Sequence, residues 1–429
     1  MIPYGKQSID ESDIAAVVAV LRSDFLTQGP AVASFEQAFA AKVGAAHAVA
    51  VNSGTAALHA CMDALGIGPG DEVIVPPITF TATANCARFV GATPVFADVT
   101  PDGHIDPDQI KRKITPRTKA VIAVDYAGLP CDYARILDLC RTAGLPLVCD
   151  ACHALGATWN GKSAGSIGLL NCFSFHPVKH IATGEGGMVT TDDAALAQRM
   201  RDFRTHGITR DPARFVGLGA EGVERAEGGN LKPEMGEKDA LGFQVSGLRS
   251  QPSGFIPLLE RGPWYYEMQS LGYNYRMSDL NAALGESQLK KLDAFVARRR
   301  AVAAKYYEGL AGLPHVTLPA SDLHPAARLS YSATHSFHLF PVMIDFAALG
   351  ATRTQVMHAL RERGIGTQVH YIPVSLQPDY RTALGAKPGA HPGAERFYAR
   401  ELSIPMFPAM TDDEVEQVVR GLAQVVGGA

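Results

Sequence analysis

No stretch of this 429-residue chain stays apolar for the roughly 20 residues that a bilayer-crossing helix needs, so no membrane span is expected. There is no long basic run either. The 39 lysines and arginines stand against 43 aspartates and glutamates, for a net charge of −4, which argues against nucleic acid as a partner. The opening residues, Met1-Ile2-Pro3-Tyr4-Gly5-Lys6, lack the pattern of a secretory leader. Cysteines number seven, an odd count at irregular spacing. Cys149 and Cys152 form one C-x-x-C, but no second pair follows at zinc spacing, so the pair is read as structural and no metal is expected. Reduced thiols then fit a cytoplasmic enzyme. No internal repeat is evident.

What is present is ordinary globular material. Hydrophobic residues make up 47% and charged residues 19%, enough for a large core and two domains. From residue 46 to about 200, short apolar runs alternate with helical patterns. Strands are expected at Ala48–Val51, Glu72–Pro76, Thr93–Ala97, Ala120–Val124, Pro146–Cys149, Asn171–Phe175 and Gly187–Thr191. Helices are expected at Thr55–Ala64, Thr81–Val90, Cys131–Ala143 and Asp193–Phe203. That alternation predicts an α/β fold with a mostly parallel sheet covered on both faces, and such sheets bind ligands at the C-terminal ends of their strands. Two helices precede the sheet within residues 10–43, and Ser278–Tyr307 carries the spacing of one long helix. Beyond it, a strand at Phe337–Ile344 and helices at Thr352–Arg363 and Thr411–Val426 predict a smaller α+β domain. The division expected is an N-terminal arm and first helix (1–30), a large domain (31–277), a connecting helix (278–311) and a small C-terminal domain (312–429). Residues 213–260 crowd glycines without a period and are read as an insertion in the large domain.

Chemistry concentrates at the expected strand ends. Cys172-Phe173-Ser174-Phe175-His176-Pro177-Val178-Lys179-His180 runs into Thr183-Gly184-Glu185-Gly186-Gly187. A lysine there can form an imine with a carbonyl cofactor, while Ser174 and the glycine turn offer a hydroxyl and backbone N–H groups to a phosphate. Asp150 ends another apolar strand 29 residues earlier, close enough for one hairpin or crossover between neighbouring strands. Carboxylate, lysine and phosphate cup together describe a pyridoxal phosphate site. His153 would face the same pocket if a turn follows Asp150, although a core histidine fits equally. Asn52-Ser53-Gly54-Thr55 opens a helix and can receive phosphate on free N–H groups, or be an ordinary cap. Phe80 can stack on a pyridine ring or fill core. Asn274 and Arg276 are polar groups in the aromatic segment before the long helix.

In this order, these pieces resemble the DegT/DnrJ/EryC1/StrS family of pyridoxal phosphate-dependent nucleotide-sugar aminotransferases, which have the fold-type I, aspartate aminotransferase-like architecture. The resemblance runs from Leu26-Thr27-Gln28-Gly29-Pro30 to Leu402-Ser403-Ile404-Pro405, and the Ser174–Lys179 string with Gly184–Gly187 is its most specific part. Tyr4, Phe25–Gly29, Val124–Gly128 and Gln368-Val369-His370-Tyr371-Ile372-Pro373 look like the subgroup of pseudaminic acid biosynthesis.

The resemblance implies that Lys179 carries the cofactor, Asp150 pairs with its ring nitrogen, Phe80 stacks on the ring and His153 contacts the ring oxygen. Gly54, Thr55 and Ser174 would hold the phosphate, joined by Asn274 from the other subunit of a homodimer with shared sites. Tyr4, Asp24, Phe25, Leu26, Thr27, Gln368, Val369, His370 and Tyr371 would contact the sugar, some across the interface. The reaction implied takes an amino group from L-glutamate, by way of pyridoxamine phosphate, to C4 of a UDP-linked 4-keto-6-deoxy-2-acetamido sugar. Lysine rather than histidine at position 179 favours transamination over the sugar dehydration of some relatives; His180 follows one place later. Another nucleotide-linked keto sugar, of the GDP-perosamine or UDP-bacillosamine type, and a non-catalytic regulator are the rival readings.

Overall fold

The computed structural model describes residues 1–215, 263–323 and 329–427. The expected insertion at 213–260 lies outside them except for its first residues, which end a short 3₁₀ turn at Pro212–Arg214.

Seven strands form the main sheet. Their order is His47–Val51, Gly187–Thr191, Leu170–Ser174, Leu147–Asp150, Thr118–Val124, Glu72–Val75, Thr93–Phe96. All seven expected strands are there, shifted by no more than two residues at an end. Only Gly187–Thr191 runs against its neighbours, and the other pairings are parallel. The parallel strands read as continuous apolar runs because helices cover both faces. The reversed strand has a particular effect. Its first residue, Gly187, pairs with Val51 on one side and Ser174 on the other, so the glycine turn reaches the sheet where those two strands end.

Helices follow the strands as expected at Gly54–Ala64, Thr81–Phe89, Tyr133–Ala143 and Ala194–Phe203. Gly54–Ala64 is buried along nearly its whole length, with Ala56, Ala57, Ala60 and Cys61 letting it lie close to the sheet. The two N-terminal helices are Glu11–Leu21 and Pro30–Val43, and both pack on Asp279–Leu289. Between Asp150 and Lys179 the chain makes a small hairpin, Thr158–Trp159 with Lys162–Ser163.

One expectation is corrected. Residues 278–311 are not a single helix but two, Asp279–Leu289 and Leu292–Leu310, broken at Lys290–Lys291. The Lys291 N–H donates to the Gln288 carbonyl three residues back, a tighter closure than the α-helix allows. The Lys291 ammonium is tied to the buried carboxylate of Asp13 in the first helix, which fixes the joint from outside.

The C-terminal part has its own antiparallel sheet, Val316–Thr317, Phe340–Ile344 and Glu401–Ile404, with helices Arg353–Glu362 and Asp412–Gly427. Helices at Pro378–Leu384 and Pro392–Arg400 and the strand Glu401–Ile404 were not expected. Arg299, fully buried, ties the second of the two connecting helices to this part by donating to the carbonyls of Phe337, His338 and Met406 at 2.9–3.2 Å. Gln368 bridges to Ser403, which carries the segment after Gly366 along the edge of this sheet toward the main one.

Candidate active site

Asp150 and Cys172 are register partners on neighbouring parallel strands, and the chain continues from Ser174 to Lys179 above them. Asp150 and Lys179 therefore open into one cavity, of about 930 Å³, at the C-terminal edge of the sheet. Its floor is the start of helix Gly54–Ala64. Ser53 caps that helix by accepting the Ala56 N–H at 3.1 Å, which leaves the N–H groups of Gly54 and Thr55 facing the cavity. Gly54 permits the close approach of Ser174, since a Cβ on it would lie 2.8 Å from the Ser174 Cβ. Among the described residues the Ser174 hydroxyl accepts a long 3.4 Å bond from the His176 N–H and has no acceptor for its own proton.

The Asp150 carboxylate is aimed by two donors. The Thr83 hydroxyl donates to Oδ2 at 2.7 Å and the Cys152 N–H donates to Oδ1 at 3.2 Å. Because the Thr83 proton is spent on Asp150, Thr79, 2.7 Å away, must donate to Thr83, giving a two-hydroxyl chain that ends on the carboxylate. Burial lowers the Lys179 pKa, against the opposing pull of Cys152 and Asp150, and so favours the neutral, nucleophilic amine.

The walls hold the remaining candidates. Phe80, 59% exposed, caps helix Thr81–Phe89 and turns its ring to the cavity rather than filling core. His153 is buried, with Nε2 3.2 Å from the Tyr371 hydroxyl. Its Nδ1 has no partner among the described residues, and burial holds its pKa well below the ordinary histidine value, so the ring is neutral. Tyr4 and Gln368–Tyr371 line the opposite side, with the Tyr4 and His370 rings 5.5 Å apart.

Asn274 and Asp24–Thr27 are not brought to this cavity. All are exposed. Residues 26–31 are tied to the start of helix Asp279–Leu289: Thr27 bridges to Ser278, the Asp279 N–H donates to the Leu26 carbonyl, and the Asp279 carboxylate receives the N–H groups of Gly29 and Ala31. Asn274 bridges instead to Thr205. The Asn274 carbonyl reaches only the rim, where the Asn52 amide donates to it at 3.4 Å. Arg276 follows on the same segment and does not line the cavity.

Sequence reasoning passed over Thr83, Thr79, Cys152 and His338, which all line the cavity. Thr83 could have been found: it lies in the first turn of a helix whose start had been placed at a strand end. His338 comes from the distant C-terminal part and had no local signal. Cys149 packs in the core with Tyr133 while Cys152 lines the cavity, so the two thiols of the C-x-x-C have different surroundings.

A model of the DegT/DnrJ/EryC1/StrS aminotransferase family matches residues 7–232 and 248–423. The chain belongs to that family. It is 39% identical, over all of its own length and 98% of the other's, to the spore coat polysaccharide biosynthesis protein SpsC of Bacillus subtilis. Among solved structures it resembles PseC of Helicobacter pylori, an aminotransferase of pseudaminic acid biosynthesis, with a TM-score of 0.81, 30% identity and full coverage of both chains. It also resembles Spr1654 of Streptococcus pneumoniae in its pyridoxamine phosphate form, with a TM-score of 0.81, 29% identity and full coverage of both chains. The fold is thus that of the pyridoxal phosphate-dependent aminotransferases, and pyridoxal phosphate is the cofactor. The donor set suits it: a lysine amine, a carboxylate fixed by two donors, and a helix start with a spare hydroxyl. No helix among the described residues is long and apolar enough to cross a membrane.

Proposed function

We propose that this aminotransferase moves an amino group from L-glutamate to C4 of a UDP-linked 4-keto-6-deoxy-2-acetamido sugar. The products are UDP-4-amino-4,6-dideoxy-N-acetyl-β-L-altrosamine and 2-oxoglutarate. One observation carries the reading. Lys179 and Asp150 open into a single cavity with an anion-binding helix start for a floor and a polar, aromatic wall of Tyr4 and Gln368–Tyr371 opposite.

Bound pyridoxal phosphate supplies an aldehyde for the amino group and a ring that accepts the electrons left on the amino carbon. Gly54, Thr55 and Ser174 bind its phosphate. Asp150 provides the fixed negative charge that keeps the ring nitrogen protonated, and Phe80 and His153 seat the ring. Lys179, its proton affinity lowered by burial, moves the proton at the carbon that loses or gains the amino group. Tyr4, Gln368, Val369, His370 and Tyr371 orient the sugar. Asn274 and Asp24–Thr27 serve the cavity of a second copy in a homodimer. Their exposure, outside the lining of their own cavity, supports that assignment.

The test is transamination by purified protein with L-glutamate and a panel of UDP- and GDP-linked keto sugars, read by mass, with Lys179→Ala as the blank. A 4-amino product from the UDP-2-acetamido sugar is expected, and none from the blank. Turnover confined to a GDP-sugar, or undiminished turnover by Lys179→Ala, would overturn the reading.

A further inference from the structure

His370 lines the cavity through a buried ring that is held from behind by a relay. Its Nδ1 is 2.8 Å from the Ser403 hydroxyl, and that hydroxyl is 2.6 Å from Oε1 of Glu401. Glu401 is fully buried, and its Oε2 accepts the backbone N–H of His370 at 2.8 Å. Nothing hydrogen-bonds Nε2 of His370 among the described residues, and it is not among their buried orphan atoms, so it faces the cavity.

We propose that Glu401, acting through Ser403, sets which ring nitrogen of His370 carries the proton, and so whether His370 meets the sugar substrate as a hydrogen-bond donor or as an acceptor. This rests on the reading of His370 as a substrate-facing residue. The argument is one of proton counting. Ser403 has a single proton. If Glu401 is a carboxylate, Ser403 must donate to it, so Oγ can only accept from Nδ1–H, and Nε2 offers the cavity a lone pair. If Glu401 is a neutral acid, its proton belongs on Oε1, because Oε2 is occupied by the His370 N–H. Glu401 then donates to Ser403, Ser403 donates to Nδ1, and Nε2–H faces the cavity as a donor.

The surroundings choose between these states. Burial pushes the Glu401 carboxyl up to about 8, against its two hydrogen bonds and the guanidinium of Arg353. Tyr126 and Tyr371, whose hydroxyls are held well above their ordinary pKa, face it as neutral groups. His370 itself is pushed down to about 3 by burial and by Lys179, so its ring stays neutral. Near neutral pH the acid form holds, and His370 presents a donor suited to a carbonyl or phosphate oxygen of the sugar nucleotide. Above about 8 the tautomer reverses. Glu401 is thus a positioning residue, remote from the reacting atoms.

The decisive measurement is ¹⁵N NMR of the histidine-labelled holoenzyme without sugar, at about pH 6 and about pH 10, either side of the ordinary titration range of a perturbed carboxyl. The His370 signals are assigned by their loss in His370→Gln. Wild type should change from the Nε2–H to the Nδ1–H form between the two conditions. Glu401→Gln should keep Nε2–H in both, because the His370 N–H holds the amide oxygen and leaves the NH₂ to donate to Ser403. Ser403→Ala should show no change of tautomer with pH. An unchanged tautomer in wild type, or wild-type switching in either variant, overturns the proposal. With the sugar that the panel selects, the wild-type KM should rise roughly tenfold from the lower to the higher pH with kcat moving less, and Glu401→Gln should abolish that rise. The NMR result stands even if no sugar is turned over, so failure of the substrate reading and failure of the relay are separable.

Discussion

The role proposed for Asp150 depends on how its carboxylate is aimed, and Thr83 is the one side chain that hydrogen-bonds it among the described residues. Its hydroxyl and the Cys152 N–H occupy one oxygen each, and Thr79 feeds the Thr83 hydroxyl from behind. Replacing Thr83 with valine keeps the shape but removes the donor. Loss of one hydrogen bond to a buried charge is worth about 1.5–3 kcal/mol, so Thr83→Val should weaken retention of pyridoxal phosphate about tenfold or more and alter the pH dependence of its absorbance. Thr83→Ser, which restores the hydroxyl, should recover both. Equal behaviour of the two variants in a cofactor-binding titration would remove the role. The residues to which this chemistry is assigned by proposal were unequally legible. Lys179, Asp150, Gly54 and Ser174 stood out because each lies within a few residues of a strand end, where local sequence and site coincide. Glu401 and Ser403 did not, because they reach His370 only through the pairing of Ser403 with Gln368.

Among the elements, the reversed strand Gly187–Thr191 and the helix Gly54–Ala64 meet at the floor of the cavity, where the phosphate is proposed to bind. Their junction has no room for side chains: a Cβ at Gly187 would run into the Ser53 carbonyl, and one at Gly54 would press on Ser174. Gly54→Ala should therefore push the helix start from the strand end and lower cofactor affinity by roughly tenfold, about 1.4 kcal/mol. Fluorescence titration of the apoprotein measures this, and an unaltered affinity would show that Ser174 yields freely. The strand and helix runs of the main sheet were readable because their periodicity is local. The break at Lys290–Lys291 was not. Both sides of it keep helical spacing, and the joint is held by Asp13 from an element nearly 280 residues away in sequence.

At the scale of the whole molecule, one buried acid should leave its mark on stability. Asp125 gives Oδ1 to the Tyr133 hydroxyl and the Cys131 N–H, while Oδ2 has no partner among the described residues. Burial raises its carboxyl to about 7, only partly offset by those bonds and by His104, and Asp150 adds to the rise. A carboxyl that holds its proton more tightly when folded stabilises the fold fully below its unfolded pKa of about 4 and loses that contribution as pH rises through about 7. Buried neutral histidines such as His153 and His370 pull the other way, so the Asp125 contribution is read as a difference: between pH ~5 and pH ~8 the Tm of wild type should fall relative to that of Asp125→Asn. A Tm difference that stays constant across that range would remove the effect. The proposed homodimer makes a separate prediction. Lys179→Ala and Asn274→Ala subunits, mixed and refolded together, should regain turnover beyond that of either parent, because one site of the mixed dimer then holds both native residues. Absence of complementation would mean that Asn274 serves no second cavity.

The amino-acid sequence by itself determined the alternation of strand and helix, the sheet they make, and the lysine, carboxylate and helix start gathered at its edge. All of these follow from short-range patterns: apolar periodicity, small residues at tight turns, and a reactive group just past a strand. Only the tertiary structure decided that Phe80 faces the cavity, that Asn274 and Asp24–Thr27 do not line it, and that a buried glutamate holds the His370 N–H. Those outcomes depend on segments far apart in the chain meeting across a packed interior, where hydrogen bonds and burial act over a few ångströms of space whatever the distance along the chain.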